Sequence, residues 1–308
     1  MTQKVECELL KTRISKFAER LNRRQRDAIS GSVWLAPSFL GVATFYIVPF
    51  FIIIYYSLIT STINPSFAFL DNYINLFGNR AFMNAASNTL KFSVVAVPLA
   101  VILSLFIALM LEARIPLKSY FRTFFLSPLM VPVASVVLIW QVLFHPNGAV
   151  NELIMLFGAD AIDWMQSEYS QIVVIVLFLW KNLGFNMILF MAALSNIPKE
   201  LLETADVEGA GPIRKLLYIK LRYLSPTLLF VTILSLINSF KVFREVYQLT
   251  GDYPYGDLYM LQHFMNNMFR SLDYQRIAAA AVIMTIAMVI IILVLFFAEN
   301  RFGRDVEE

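Results

Sequence analysis

The segment Glu200–Pro226, ELLETADVEGAGPIRKLLYIKLRYLSP, is charged, interrupted by glycine and flanked by two long apolar runs. Gly209 and Gly211 bracket Ala210, and Pro212 follows. Glycine admits a left-handed turn, and proline suits the first turn of the next helix. The pattern predicts a short helix, a glycine turn and a second, basic helix: a rigid knob that another protein can grip. Lys181 is the other residue whose placement points to chemistry. It lies inside an apolar run, where an ionisable side chain is costly and is a functional candidate by default. Snorkelling and pairing with a protein acid are the other uses open to it. Catalytic signatures are absent. There is no G-x-x-x-x-G-K-[ST] loop for nucleotide phosphates, no HExxH and no Gly-x-Ser-x-Gly elbow. His145 and His263 are far apart in the chain, and the only cysteine, Cys7, can form neither an internal disulfide nor a structural zinc site. The pattern argues against an enzyme and for a conduit that takes its energy from elsewhere.

The elements that would hold these residues are membrane spans. The chain has 308 residues, of which 58% are hydrophobic and 15% charged, with 27 phenylalanines. Soluble domains carry about 25% charged residues. Apolar runs long enough to cross ~30 Å of hydrocarbon fall at 33–58, 89–111, 121–144, 170–195, 224–243 and 277–298. The first run is too late and too long for a signal peptide, and no A-x-A-like site follows it. An all-α polytopic fold with six transmembrane helices is expected. Lys and Arg concentrate in residues 1–32, in the connection after the second span (Arg114, Lys118, Arg122), in the one after the fourth (Lys199, Arg214, Lys215, Lys220, Arg222) and in the tail (Arg301, Arg304). The opposite connections hold Arg80, Arg244, Arg270 and Arg276. The positive-inside rule then places both termini in the cytoplasm, with outer loops near 59–88, 145–169 and 244–276. The expected organisation is a basic N-terminal segment (1–32), a six-span transmembrane domain (33–299) and a short cytoplasmic tail (300–308). Pro49, Pro98, Pro128 and Pro132 lie inside spans, and each removes a backbone donor.

Residues 197–226 resemble the EAA loop of the permease subunits of bacterial ABC importers. The matching positions are Ile197, Pro198, Leu201, Glu203, Thr204, Ala205, Glu208, Gly209, Ala210, Ile219, Leu221 and Pro226. Thr204, Glu208, Leu216 and Arg222 depart from the usual Ala, Asp, aromatic and Pro. FAFLDNYINLF (Phe67–Phe77) with NTLKFS (Asn88–Ser93), WKNLGFNM (Trp180–Met187) and FKVFREVYQLTGDYP (Phe240–Pro254) are similar to patches of the carbohydrate-uptake branch of that family. The likeness is to the first permease of maltose-type, two-permease systems.

The resemblance implies a type I importer fold and a role in binding-protein-dependent transport of a sugar or oligosaccharide. It implies coupling to ATPase subunits through Glu203, Ala205, Glu208, Gly209 and Ala210. Glu203 would dock, because a carboxylate can pair with an arginine of the ATPase. It also implies a substrate site on spans four and five, at Lys181, Asn182, Phe185, Ser235 and Ser239, with Asn238 a further candidate. Amides and hydroxyls suit sugar hydroxyls, and an aromatic ring can cover an apolar sugar face. Lys181 could meet an anionic sugar such as a uronate. The partners implied are a second permease, two cytoplasmic ABC ATPases, an extracytoplasmic solute-binding protein and the lipid bilayer of the bacterial inner membrane; no nucleic acid is expected. No cofactor is expected in this chain, since ATP and Mg would sit in the ATPases, and no metal site is expected. The rival readings are an ABC permease for another solute such as glycerol phosphate, an ion-coupled secondary transporter, and a membrane scaffold.

Overall fold

The computed structural model describes residues 23–112 and 118–303. Among these the regular elements are helical, apart from one isolated bridge between Ile59 and Phe67. In chain order they are α1 (Arg23–Val42), α2 (Val48–Ser57), α3 (Asp71–Phe77), α4 (Arg80–Glu112), α5 (Lys118–Met130), α6 (Val133–Leu143), α7 (Ala149–Leu156), α8 (Ser170–Ser195), α9 (Lys199–Val207), α10 (Pro212–Lys215), α11 (Leu221–Tyr223), α12 (Ser225–Lys241), α13 (Phe243–Thr250), α14 (Leu261–Arg270) and α15 (Tyr274–Gly303). Among the described residues five helical stretches are long and apolar enough to cross a membrane, and the bent pair α5–α6 makes a sixth if it is one span.

The chain divides into two compact units, Met1–Tyr56 and Ser57–Glu308. In the first, a helical stretch over Gly31–Ser57 is apolar on all sides, as a lipid-facing span is. It carries a π-turn at Ala43–Ile47, just upstream of Pro49. Pro49 has no N–H to give an α-helical bond, and a wide turn relieves that loss. The basic-segment reading falls largely outside the described residues, which begin at Arg23. Arg114 and the end of the tail, residues 304–308, also lie outside them.

The second unit is built on α4 and α8, which form its most extensive helix pair, with α12 packed against both. Small side chains make close packing possible: Ser93, Ala96, Ala100, Ser104 and Ala108 of α4 are all buried. Where helices have no hydrophobic drive to associate, small residues and short hydroxyls let backbones approach. Val97, Val101 and Leu111 of α4 then meet Met187, Phe190 and Leu194 of α8 and Val231 and Leu236 of α12 in one apolar cluster.

Three spans differ from the sequence-based expectation. α4 begins at Arg80, well before residue 89, so Arg80 and Asn88 are helical. The run from Ser225 continues as helix to Thr250. Phe240, Val242 and Val246 keep its apolar pattern at helical spacing, so Arg244 sits in helix and not in a loop. The third run breaks by 101° between α5 and α6. Pro132 is the cause: it cannot donate to the helix, and it drives Val131 away from helical angles. Pro98 and Pro128 remain inside α4 and α5, which continue past them.

α5 crosses α8 at Gly184. A Cβ there would lie 1.8 Å from the Phe125 carbonyl oxygen, so only glycine permits the contact.

Candidate functional site

α8 and the α12–α13 helix supply a polar face to one cavity of 240 Å³. Leu177, Phe178, Lys181 and Asn182 recur at helical spacing on α8, and Asn238, Lys241, Val242 and Glu245 on the other side. Arg244 and Leu129 of α5 complete the lining. Lys181 lies about 16 Å along α8 from Ser170, at 1.5 Å per residue, well inside the span.

The polar groups are organised. Lys181 Nζ forms an ion pair with Glu245, whose residue is 6% exposed. A charge taken out of water at this depth needs such a partner. Asn238 Nδ2 donates to Asn182 Oδ1 at 2.9 Å, and Asn182 Nδ2 donates to the Phe178 carbonyl at 2.8 Å. Asn182 is thereby held by its own helix, and Asn238 is held across the helix interface by Asn182. Lys241 and Arg244 are exposed and make no hydrogen bond or ion pair among the described residues.

The structure separates the six candidate substrate residues. Lys181, Asn182 and Asn238 share the cavity. Ser235 and Ser239 do not reach it; both are fully buried. Asn186 Nδ2 donates to Ser235 Oγ at 2.9 Å, and Ser239 Oγ lies 2.9 Å from Ser93 Oγ. They bond α12 to α8 and α4 and lie outside this cavity's lining. Phe185 is 41% exposed and lies outside the cavity lining. Glu245 is not singled out by the sequence, and Arg244 was expected in an outer connection. The signal was present: 238, 241/242 and 245 continue one helical face past residue 243.

The 197–226 segment forms the predicted knob. α9 ends in a Schellman motif, with the Gly209 N–H donating to Asp206 O at 3.0 Å and the Ala210 N–H to Ala205 O at 2.8 Å. Gly209 sits at φ +75°, in the left-handed region this motif needs. Gly211 precedes α10, and Pro212 opens it. Lys215 pairs with Asp206 across the turn. Ala205 is buried under the bend, while Glu203 and Glu208 are exposed. Val207, at 90%, and Ile213 present apolar surface beside them. A hollow of 450 Å³ runs along Ala205, Glu208, Ala210, Arg214, Lys215, Tyr218 and Ile219; Glu203 and Gly209 lie outside that lining.

This knob is tied to the spans. Lys220, in a π-turn at Leu216–Lys220, pairs with Glu112 at the end of α4 at 2.5 Å. Ser225 Oγ donates to Glu299 of α15 at 3.3 Å. These polar links join the stretch that follows α10 to α4 and α15.

At the other end of the bundle, the connection between α13 and α14 is fastened to the core. Asn88 Nδ2 donates to the Gly256 carbonyl at 2.7 Å, and the Leu261 N–H donates to Thr89 Oγ1 at 2.8 Å. Arg270 pairs with Asp252 and donates to Tyr247 Oη at 2.7 Å. His263 is buried edge-on to Phe243 and accepts the Met260 N–H at Nδ1. Burial lowers its pKa to about 4. Burial likewise raises the Tyr259 phenol above its ordinary value. Among the described residues no group of three or more His, Cys, Asp or Glu could hold a metal ion.

Comparison with known proteins gives the same architecture. Residues 100–308 match the family model for the binding-protein-dependent transport system inner membrane component. The trehalose/maltose transport system permease protein MalF of Thermococcus litoralis is 29% identical over 287 residues, covering 92% of this chain and 97% of that protein. The sn-glycerol-3-phosphate transport system permease protein UgpA of Escherichia coli is 28% identical over 276 residues, covering 87% and 93%. The crystal structure of a bacterial ABC transporter involved in the import of the acidic polysaccharide alginate contains a chain that superposes with a TM-score of 0.78 at 20% identity, covering 91% of this chain and 99% of that one. At that identity the likeness is one of fold. A bent helix-turn-helix knob anchored to a multi-pass helical bundle, with a family match over two thirds of the sequence, leaves one assignment: the chain belongs to the inner membrane components of binding-protein-dependent transport systems.

Proposed function

We propose that this chain is one of two permeases of an ATP-driven importer that carries a sugar or oligosaccharide across the bacterial inner membrane. The observation that supports this most is the coincidence of two features in one fold. One is a polar cavity inside the spans, lined by Lys181, Asn182 and Asn238. The other is an exposed, glycine-bent knob at 197–226 linked to α4 and α15. The relative named for trehalose and maltose supports that solute class, and the one named for sn-glycerol 3-phosphate supports the alternative of a non-sugar solute.

The 240 Å³ cavity is smaller than the ~300–1,000 Å³ of ordinary ligand sites. A full site would therefore need a second wall, which a partner permease would supply. A solute-binding protein would deliver solute at the end opposite the knob. With both termini cytoplasmic, the knob would meet the ATPase subunits. Exposed Glu203 and Glu208 offer carboxylates to arginines, and Val207 and Ile213 offer apolar contact. Closure of the ATPases on ATP would push α9–α10. The rigid Schellman turn and the Lys220–Glu112 link would convert that push into a shift of α4 and α12, alternating access to the cavity.

The test is ATP-dependent uptake by the assembled complex in proteoliposomes, with wild type and Glu203→Ala compared. Loss of uptake and of solute-stimulated ATP hydrolysis in the variant is expected. Uptake that persists without any ATPase subunit would overturn the proposal in favour of an ion-coupled carrier.

A further inference from the structure

The cavity between α8 and α12–α13 carries an unbalanced charge. Four ionisable side chains line it: Lys181, Lys241, Arg244 and Glu245. The Lys181–Glu245 ion pair is internally neutral. Lys241 and Arg244 remain, exposed and without a hydrogen bond or ion pair among the described residues. They sit at i and i+3, so both head groups project from one helical face. Counted from Ser225, they lie about 24 and 28 Å along a helical run that spans about 39 Å. An uncompensated cation within a span is costly, and the cost is met by a counter-charge or by a water-filled path. A neutral sugar would call for the amides and hydroxyls alone. The arginine offers a planar fork that matches carboxylate or phosphate in bidentate fashion, and the lysine a compact point charge.

We propose that this cavity takes an anionic solute, a carboxylate- or phosphate-bearing sugar or polyol, recognised by Arg244 with Lys241 beside it. The inference rests on the importer reading above and narrows its solute class. In it, Lys181 is a positioning residue: Glu245 occupies its ammonium, and the pair holds α8 against α13. Asn182 and Asn238 face the solute's hydroxyls. The Asn238 side-chain oxygen, which has no partner among the described residues, can accept from one of them.

The experiment uses the assembled importer with its partner subunits and binding protein in proteoliposomes. ATP-dependent uptake is measured for maltotriose, trigalacturonate and sn-glycerol 3-phosphate. Uptake of at least one anionic probe in preference to maltotriose is expected. Arg244→Gln should raise the KM for that probe about tenfold or more, the size of one lost charge-assisted hydrogen bond. Arg244→Lys should restore most of the affinity. A purely structural role for Arg244 would instead lower assembly yield or the maximal rate, with KM unmoved and no rescue by lysine. Preference for maltotriose, or a KM unchanged by Arg244→Gln, overturns the proposal; the second result would assign the cations to an acidic neighbour subunit. Failure of ATP-dependent uptake for both probe classes would overturn the importer reading itself, an outcome distinct from either.

Discussion

Lys181 of α8 and Glu245 of α13 form an ion pair inside the spans, joining two helices whose residues are 64 apart in sequence. The Lys181 side chain keeps 25% of its exposure and that of Glu245 only 8%. Removing one partner strands the other, and the more buried carboxylate suffers more. Lys181→Met should therefore destabilise the protein by about 3 kcal/mol or more. Glu245→Gln should cost less, since Lys181 can still reach water. The double variant should recover part of the loss, because no lone charge remains. Thermal unfolding of the purified protein in detergent, run on all three variants, checks this. Additive losses would show that the pair is not coupled.

Gly184 and Phe125 set the approach of α5 to α8. A methyl group at 184 would meet backbone, with the Phe125 oxygen at 1.8 Å and its carbon at 2.5 Å. Backbone cannot rotate away, so α5 must move. Gly184→Ala is expected to destabilise by about 1–3 kcal/mol, the usual cost of overpacking. It should also displace Leu129 from the cavity wall. Thermal stability and solute uptake should fall together; unchanged stability would contradict the close crossing.

Gly209 carries the turn of the knob. Its φ of +75° is one that L side chains adopt at a cost, and Gly209→Ala should cost about 1–2 kcal/mol locally. Gly209→Pro cannot adopt that angle, and it removes the N–H that donates to Asp206. We expect the alanine variant to retain a reduced fraction of ATP-driven uptake. The proline variant should lose uptake and ATPase capture in co-purification, while the spans remain assembled by circular dichroism.

His263 makes stability depend on pH. Burial lowers its pKa from 6.5 to about 4. Above pH 6.5 the ring is neutral both folded and unfolded, and nothing is lost. Between 6.5 and about 4 the unfolded chain takes up the proton first, so stability falls as pH falls. The loss levels off below about pH 4, at roughly 3 kcal/mol. The melting temperature of wild type should therefore drop across that window more steeply than that of His263→Gln. Parallel curves would show that His263 does not contribute.

Much of this protein was decided by composition and local pattern. Apolar runs of span length can satisfy their backbone in lipid only as helices, so an all-helical, multi-pass fold follows from the hydropathy of the chain. The knob at 197–226 was equally legible, because its parts are local: Gly209 for a left-handed turn, Pro212 for a helix start, and a capping pattern completed within five residues. The bend at Val131–Pro132 was half visible. Proline marks where a helix can break, but packing chooses which proline does so; Pro98 and Pro128 stay in helix and Pro132 does not.

The site was another matter. Lys181, Asn182 and Asn238 were identifiable as polar groups in apolar runs, and so were Ser235 and Ser239. No local signal says which of them meets a neighbouring helix and which faces an open space, since that depends on how α4, α8 and α12 are rotated about their axes. Packing turned the two serines inward, against Ser93 and Asn186, and turned Asn238 toward Asn182. It also brought Glu245 to Lys181 by extending one helix beyond the expected end of its span. Sequence alone therefore determined the class of fold and the device at 197–226, whose physics acts over a few residues. Tertiary structure alone decided which charges are paired and which stay unpaired among the described residues, because ion pairs between helices form across distances that no sequence window contains.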